Sequence, residues 1–347
     1  MKKLVFASVM ALASISLVCV PMLQAQNSNS TITIKDPAEF NTYQMSTSQQ
    51  DPAARAAALE SFLETYPNSV AKKAALDELI DTYQSLRDAD KTLGAASRML
   101  QVDPNNMKAI FISVFIKKTE CAKTHDAQTC DDAALLAQRG LTAPKPAATS
   151  DAAWKKLTEG TYPLFHSAIA LDDVVSKKDV KAGIAEYRTE LMLYPADQTK
   201  SGQGLWDTLQ LAQAYTKPGG KDLEQAIWFY ARAWNYATPI KAQIEADLEY
   251  YYKVYHGNPD GLDAVKTLAA ETVFPPATYS VTPAPTPAQL ADKVVSTTPN
   301  LATLALEDKE YILANGTPQD AAKMWAVLKD QVTPVPGIVI DTTASAV

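Results

Sequence analysis

The sequence predicts an all-α chain of stacked helical pairs, followed by a proline-rich linker and a small C-terminal helical segment. Three observations lead there. Glycine is sparse, 12 of 347 residues, while 47% of the chain is hydrophobic. That composition, rich in alanine, leucine and tyrosine, favours helices over a glycine-punctuated β fold. Asp36-Pro37-Ala38-Glu39 carries three helix-start signals at once. Aspartate caps, proline takes the first turn where its missing N–H costs nothing, and glutamate reaches back to the cap. Asp51-Pro52 and Asp103-Pro104 repeat the theme. The third observation is a register: Tyr83 precedes Pro104 by the same interval as Tyr255 precedes Pro276.

When the two tyrosines are aligned, the small and apolar positions follow. Leu76, Leu79, Ile80, Tyr83, Thr92 and Ala96 match Leu248, Tyr251, Tyr252, Tyr255, Ala264 and Leu268. A third unit reads Thr208, Leu211, Ala212, Tyr215, Ala226, Tyr230 and Ala233, with a longer turn at Lys217-Pro218-Gly219-Gly220-Lys221. Small residues let antiparallel helices approach, and aromatics fill the seam between one pair and the next. The spacing resembles the tetratricopeptide repeat, a helix–turn–helix unit of about 34 residues. Weaker copies run from Ala54 to Pro67, Met107 to Pro144 and Phe165 to Pro195, for about six pairs in all. The expected architecture is therefore a tetratricopeptide-like α-α superhelix, with a generic helical bundle as the alternative.

The chain divides as follows. Residues 1–25 read as an export signal: Lys2 and Lys3, an apolar run from Leu4 to Val20, and Leu23-Gln24-Ala25 before a cut at Gln26. An uncleaved anchor is one alternative, against which Ser8, Ser14 and Ser16 break the run. Lipidation at Cys19 is another, and Val18 stands where that modification wants a small residue. Residues 26–35 form a leader and 36–274 the repeats. Pro275, Pro276, Pro283, Pro285 and Pro287 make 275–288 an extended linker. Residues 289–332 offer three more helices, at Thr286–Ser296, Asn300–Asn315 and Pro318–Gln331. A tail at 333–347 contains the strand-like Gly337-Ile338-Val339-Ile340-Asp341.

The net charge of −7 becomes more acidic once the signal lysines leave, and no basic block remains. Without a positive stripe to displace counterions, nucleic acid is not an expected partner. Stable membrane insertion after signal cleavage is not expected either. The mature chain keeps Cys121 and Cys130, an even pair that suggests a disulfide in the oxidising periplasm or outside the cell. Free thiols are one alternative, and a zinc site with His125 and Asp131 is another, whose spacing matches no strong motif.

The usual signatures of catalysis are missing. There is no G-x-S-x-G elbow and no H-E-x-x-H helix, and Gly219-Gly220-Lys221 lacks the rest of a phosphate loop. His166 reads as a packed or surface residue, and His256 as a helix-end imidazole complementing the dipole. No enzyme, cofactor or metal is expected. The aromatic run Trp228, Phe229, Tyr230, Trp234 and Tyr236, with Tyr250, Tyr251, Tyr252 and Tyr255, cannot all face one side of its helices. Either both faces are buried, or one or two rings line an exposed patch.

The first helices of such pairs line a concave groove that holds protein partners. In this register the groove positions are Asp77, Asp81, Gln84, Phe111, Phe115, Trp206, Gln213, Glu249 and Lys253. The expected function is a non-enzymatic, periplasmic or secreted scaffold for protein–protein interaction. The alternative is a soluble binder of a small molecule or glycan, stacking on a patch around Trp206 and Trp228.

Further segments carry a wider likeness. Asp36-Pro37-Ala38-Glu39-Phe40, Leu59-Glu60-Ser61-Phe62-Leu63 running into Tyr66-Pro67-Asn68-Ser69, Tyr255-His256-Gly257 and Pro283-Ala284-Pro285-Thr286-Pro287 belong to it. Together they resemble exported bacterial tetratricopeptide-repeat proteins without an assigned activity. That resemblance implies the repeat fold, no catalytic residues, and a continuation into a β-rich C-terminal segment.

Overall fold

The computed structural model describes residues 33–329. The expected signal, the start of the leader and the tail with its strand-like run lie outside the described residues. The described residues form two compact units, one holding 33–252 together with 260–280, the other 253–259 with 281–329.

The first unit is built from helical pairs: α1 (Pro37–Thr47) with α2 (Pro52–Thr65), α3 (Lys72–Ser85) with α4 (Ala89–Val102), and α5 (Met107–Thr124) with α6 (Ala127–Thr142). Then come α7 (Asp151–Val175) with α8 (Val180–Leu193), α9 (Gly202–Ala214) with α10 (Leu223–Tyr236), and α11 (Lys241–His256) with α12 (Leu262–Glu271). The last turn of α11 belongs to the second unit. Six pairs in succession, with no strand among the described residues, make this an all-α, tetratricopeptide-like solenoid.

Local chemistry starts most of these helices. Asp36 accepts from the backbone N–H groups of Ala38 and Glu39, at 2.7 and 3.1 Å, and Asp51 from that of Ala54 at 2.7 Å. These bonds satisfy N–H groups that have no partner inside the helix. The third Asp-Pro signal works differently. Asp103 N–H still donates to Met99 O at 2.8 Å, so Asp103-Pro104 closes α4, and Asn106 caps α5 through Ala109 N–H at 3.0 Å.

The turns inside the pairs share a device the sequence reading missed. Arg87, His125 and Lys178 take left-handed φ values of 56, 55 and 59°. Each is followed at once by the aspartate that caps the second helix: Asp88, Asp126 or Asp179. A side chain with a Cβ is strained in that conformation. For Arg87 and Lys178 a positive charge just past a helix end gains from the dipole in return. In the turn between α9 and α10, Gly219 takes φ 85° without the strain.

The longest helix departs from expectation. α7 runs 25 residues with Pro163 inside it. Proline removes one rung of the ladder, and nearly all of 161–174 is buried, so packing rather than propensity holds the helix together. At its contact with α6 no side chain fits: a Cβ on Gly140 would sit 2.4 Å from the Phe165 ring.

The seam tyrosines mostly follow the register. Tyr83 is buried and donates to Glu60 at 3.0 Å. Tyr215 is buried against Phe229 in a stack with centroids 5.9 Å apart. In α11 the fully packed ring is Tyr252, whose hydroxyl donates to Asp260 O at 2.7 Å. Tyr255 is only half-buried, a correction of one turn to the register there. Ala226 is fully buried, as a close-contact position requires.

The second unit holds α13 (Pro287–Thr297), α14 (Leu306–Asn315) and α15 (Pro318–Leu328) around Ala291, Val295, Ile312 and Met324. Thr286 and Gln289 close a capping box on α13. The expected helix from Asn300 instead makes one 3₁₀ turn, Leu301–Thr303, before α14 begins. Residues 253–259 join this unit through Ala284 N–H on Tyr255 O at 2.7 Å and His256 Nδ1 on Thr282 O at 2.6 Å.

Candidate peptide-binding groove

In the expected register the first helices form the inner face. α5 packs on α7, and Asp207 of α9 reaches both Ser167 of α7 and Lys118 of α5. Three successive first helices, α5, α7 and α9, therefore meet.

At the start of this face, Asp77 and Asp81 of α3 share the ammonium of Lys108 on α5, at 3.0 and 2.6 Å. Burial pushes the Asp81 carboxyl above its ordinary value, and Lys108 opposes that shift. Tyr43 of α1 is pushed up as well, by burial first and then by Glu78 and Asp77, so α1 contributes to the same surface. Phe111 and Phe115 follow Lys108 along α5, half-buried over the core that α5, α6 and α7 share. Gln84 is half-buried on the last turn of α3. Lys108 was not among the expected groove residues. Its spacing of three and seven from Phe111 and Phe115 places all three on one helical stripe, and that spacing could have identified it.

The same stripe continues to Lys118, and there the inner face is closed. The Lys118 ammonium lies 3.3 Å from both oxygens of Asp207, which also accepts from Ser167 and Gln203, each at 2.7 Å. Both charged side chains are buried, 8% and 1% exposed. An ion pair out of water survives only with such added hydrogen bonds.

Past this closure, the structure disperses the remaining expected positions. Trp206, beside Asp207 in sequence, turns outward and is 44% exposed. Gln213 and Glu249 are half-buried on α9 and α11, while Lys253 is exposed and belongs to the second unit. The expected patch around Trp206 and Trp228 does not form. Trp228 is 0% exposed, donates Nε1–H to Val273 O at 3.1 Å and meets the Tyr279 ring edge-on. Consecutive aromatics on α10 face both its neighbours, so Phe229 and Tyr230 are buried too. Trp234 lies under two ammonium groups, Lys241 at 3.7 Å and Lys266 at 4.4 Å from its centroid. Tyr250, 61% exposed, ends a ring series through Tyr251 to Tyr230.

Cys121 at the end of α5 and Cys130 at the start of α6 are joined as a disulfide, Cα to Cα 4.9 Å. His125 sits exposed in the turn between them. His166 Nδ1 pairs with Glu186 of α8 at 2.6 Å. Among the described residues, no helix is long and apolar enough to cross a membrane.

The class of protein is thus defined by its own helices: an all-α, tetratricopeptide-like repeat array. No family model matches the chain, and no curated protein matches it. Among solved structures it is similar to PilW, a widely conserved type IV pilus biogenesis factor, with a TM-score of 0.35 and 14% identity over 66% of this chain and 99% of that one. The architecture stated above rests on the chain's own pairs and not on that overlay.

Proposed function

We propose that the chain is a non-enzymatic scaffold, exported to the periplasm or secreted, that holds an extended segment of a protein partner along the inner face of α3 and α5. The observation that carries this reading is the stripe of Lys108, Phe111 and Phe115 facing Asp77, Asp81 and Gln84. Two half-buried rings supply apolar contact, and the Asp81 carboxylate, 47% exposed beside the buried Lys108 that holds it, supplies polar recognition at the rim. Solenoids present such surfaces to extended ligands. The Cys121–Cys130 pair supports export, since disulfides persist where thiols are not kept reduced.

A photo-crosslinking residue placed at Gln84 tests the reading, with a second at Leu135, exposed on the second helix α6. Mixed with envelope extract, the Gln84 form should capture a defined protein, and Phe115→Ala should abolish that capture. Equal capture from Leu135 would sink the groove assignment. Mass spectrometry of the mature chain should find its start at or near Gln26; an intact Met1 or a lipid on Cys19 would overturn the export reading.

A further inference from the structure

We propose that Glu190 keeps its proton at neutral pH and donates it to Asp207, so that one buried proton joins α8 to the closed part of the inner face and makes the fold weaken as pH rises. The groups around it come from four helices. α5 supplies Lys118, α7 supplies Ser167, α8 supplies Tyr187 and Glu190 with Tyr194 just beyond it, and α9 supplies Gln203 and Asp207.

Glu190 is 0% exposed, and neither of its oxygens meets a donor. Its carboxyl nevertheless lies within hydrogen-bonding reach of Asp207. Two carboxylates offer only acceptors, so this contact is a hydrogen bond only if one of them retains a proton. Asp207 already accepts from Ser167 and Gln203 and faces the Lys118 ammonium, contacts that call for its ionised form. Glu190 has no such donors, so the proton belongs to Glu190. The charge count agrees, since Lys118 is one cation for two carboxyls in a buried site, and a second negative charge there would stand uncompensated. Burial, followed by Asp207, drives the Glu190 carboxyl well above the ordinary range, and Lys118 offsets that only in part. Burial and the two acids also push Tyr187 and Tyr194 up, which keeps both phenols neutral.

The sign follows from linkage. The unfolded chain releases this proton near the ordinary glutamate value, about 4.3, while the folded chain retains it to higher pH. Stability from this group is therefore fully present at acid pH and declines as pH rises toward the raised native value. Across that window the unfolding constant grows about tenfold per pH unit.

The test is urea unfolding of the full mature chain at several pH values from about 5 to 9, comparing wild type with Glu190→Gln. Glutamine keeps nearly the same shape and still donates to Asp207. The wild-type unfolding constant should climb about tenfold per pH unit relative to the variant. The infrared band of a protonated carboxyl should be present in the wild type at neutral pH and lost in the variant. Asp207→Asn gives a second reading should Glu190→Gln fail to fold. With the competing charge gone, Glu190 ionises beside Lys118, and the excess slope should again vanish. Equal slopes in wild type and whichever variant folds overturn the proposal, whatever the infrared band shows.

Discussion

The pairs from α3 to α6 and those from α9 to α12 share a register yet finish their helices in different ways. In the earlier pairs the chain closes its own ends. A left-handed Arg87 or His125 stops the first helix, and Asp88 or Asp126 opens the second three residues from the N–H it accepts. In the later pairs the orphan carbonyls in the last turn of α12 and just past it are taken by side chains of α10. Arg232 donates to Ala269 O and Ala270 O at 3.1 and 2.9 Å, Tyr236 to Ala270 O at 2.7 Å, and Trp228 to Val273 O. Thirty-odd residues or more separate each donor from its acceptor. Local closure needs no side chain from a neighbouring pair, which on the proposed reading leaves the facing surfaces of α3 and α5 to a partner. Closure at a distance uses up the polar groups of α10 and buries its aromatics, which suits an anchor and not a groove.

Breaking the later region should have the largest effect. Arg232 is 0% exposed, and its guanidinium also reaches Thr199 Oγ1 at 3.0 Å. Arg232→Met should leave the two carbonyls and Thr199 without that donor and cost about 3 kcal/mol or more, read from the urea midpoint. A silent Arg232→Met would mean that the helix ends find water instead.

The next comparison sharpens the register in α11. Tyr252→Ala should create a cavity and lose the bond to Asp260, costing about 3 to 5 kcal/mol. Tyr255→Ala, at a half-buried position, should cost clearly less in the same thermal melts. The reverse order would restore Tyr255 as the seam residue.

In the earlier region, reducing the Cys121–Cys130 bond should cost about 2 to 3 kcal/mol through the freedom returned to the unfolded chain. Denaturation with and without reductant measures it, and a non-reducing peptide map should show the two cysteines linked. The smallest effect expected has the opposite sign. Arg87→Gly relieves a left-handed side-chain position and should stabilise by about 0.5 to 1 kcal/mol. Loss of stability there would show that the arginine's interaction with the helix end outweighs its strain.

The sequence by itself determined what acts within a turn or two of the chain. Asp36 and Asp51 cap where their Asp-Pro pairs predicted, and Tyr83, Tyr215 and Ala226 are buried where a small-and-aromatic period placed them, because capping and periodicity are short-range effects. Even the left-handed turns were legible in principle, as an Arg, His or Lys followed by Asp in three successive pairs. Lys108 could also have been found, from its stripe with Phe111 and Phe115. Only the tertiary structure decided the rest. Lys118 and Asp207 are 89 residues apart, and they meet because α5 packs on an α7 lengthened through Pro163, which α9 also reaches through Ser167. No local pattern specifies that packing. Tertiary packing also buried Trp228, turned Trp206 outward, shifted the packed tyrosine of α11 to Tyr252, and set Glu190 against an aspartate with no second cation at hand.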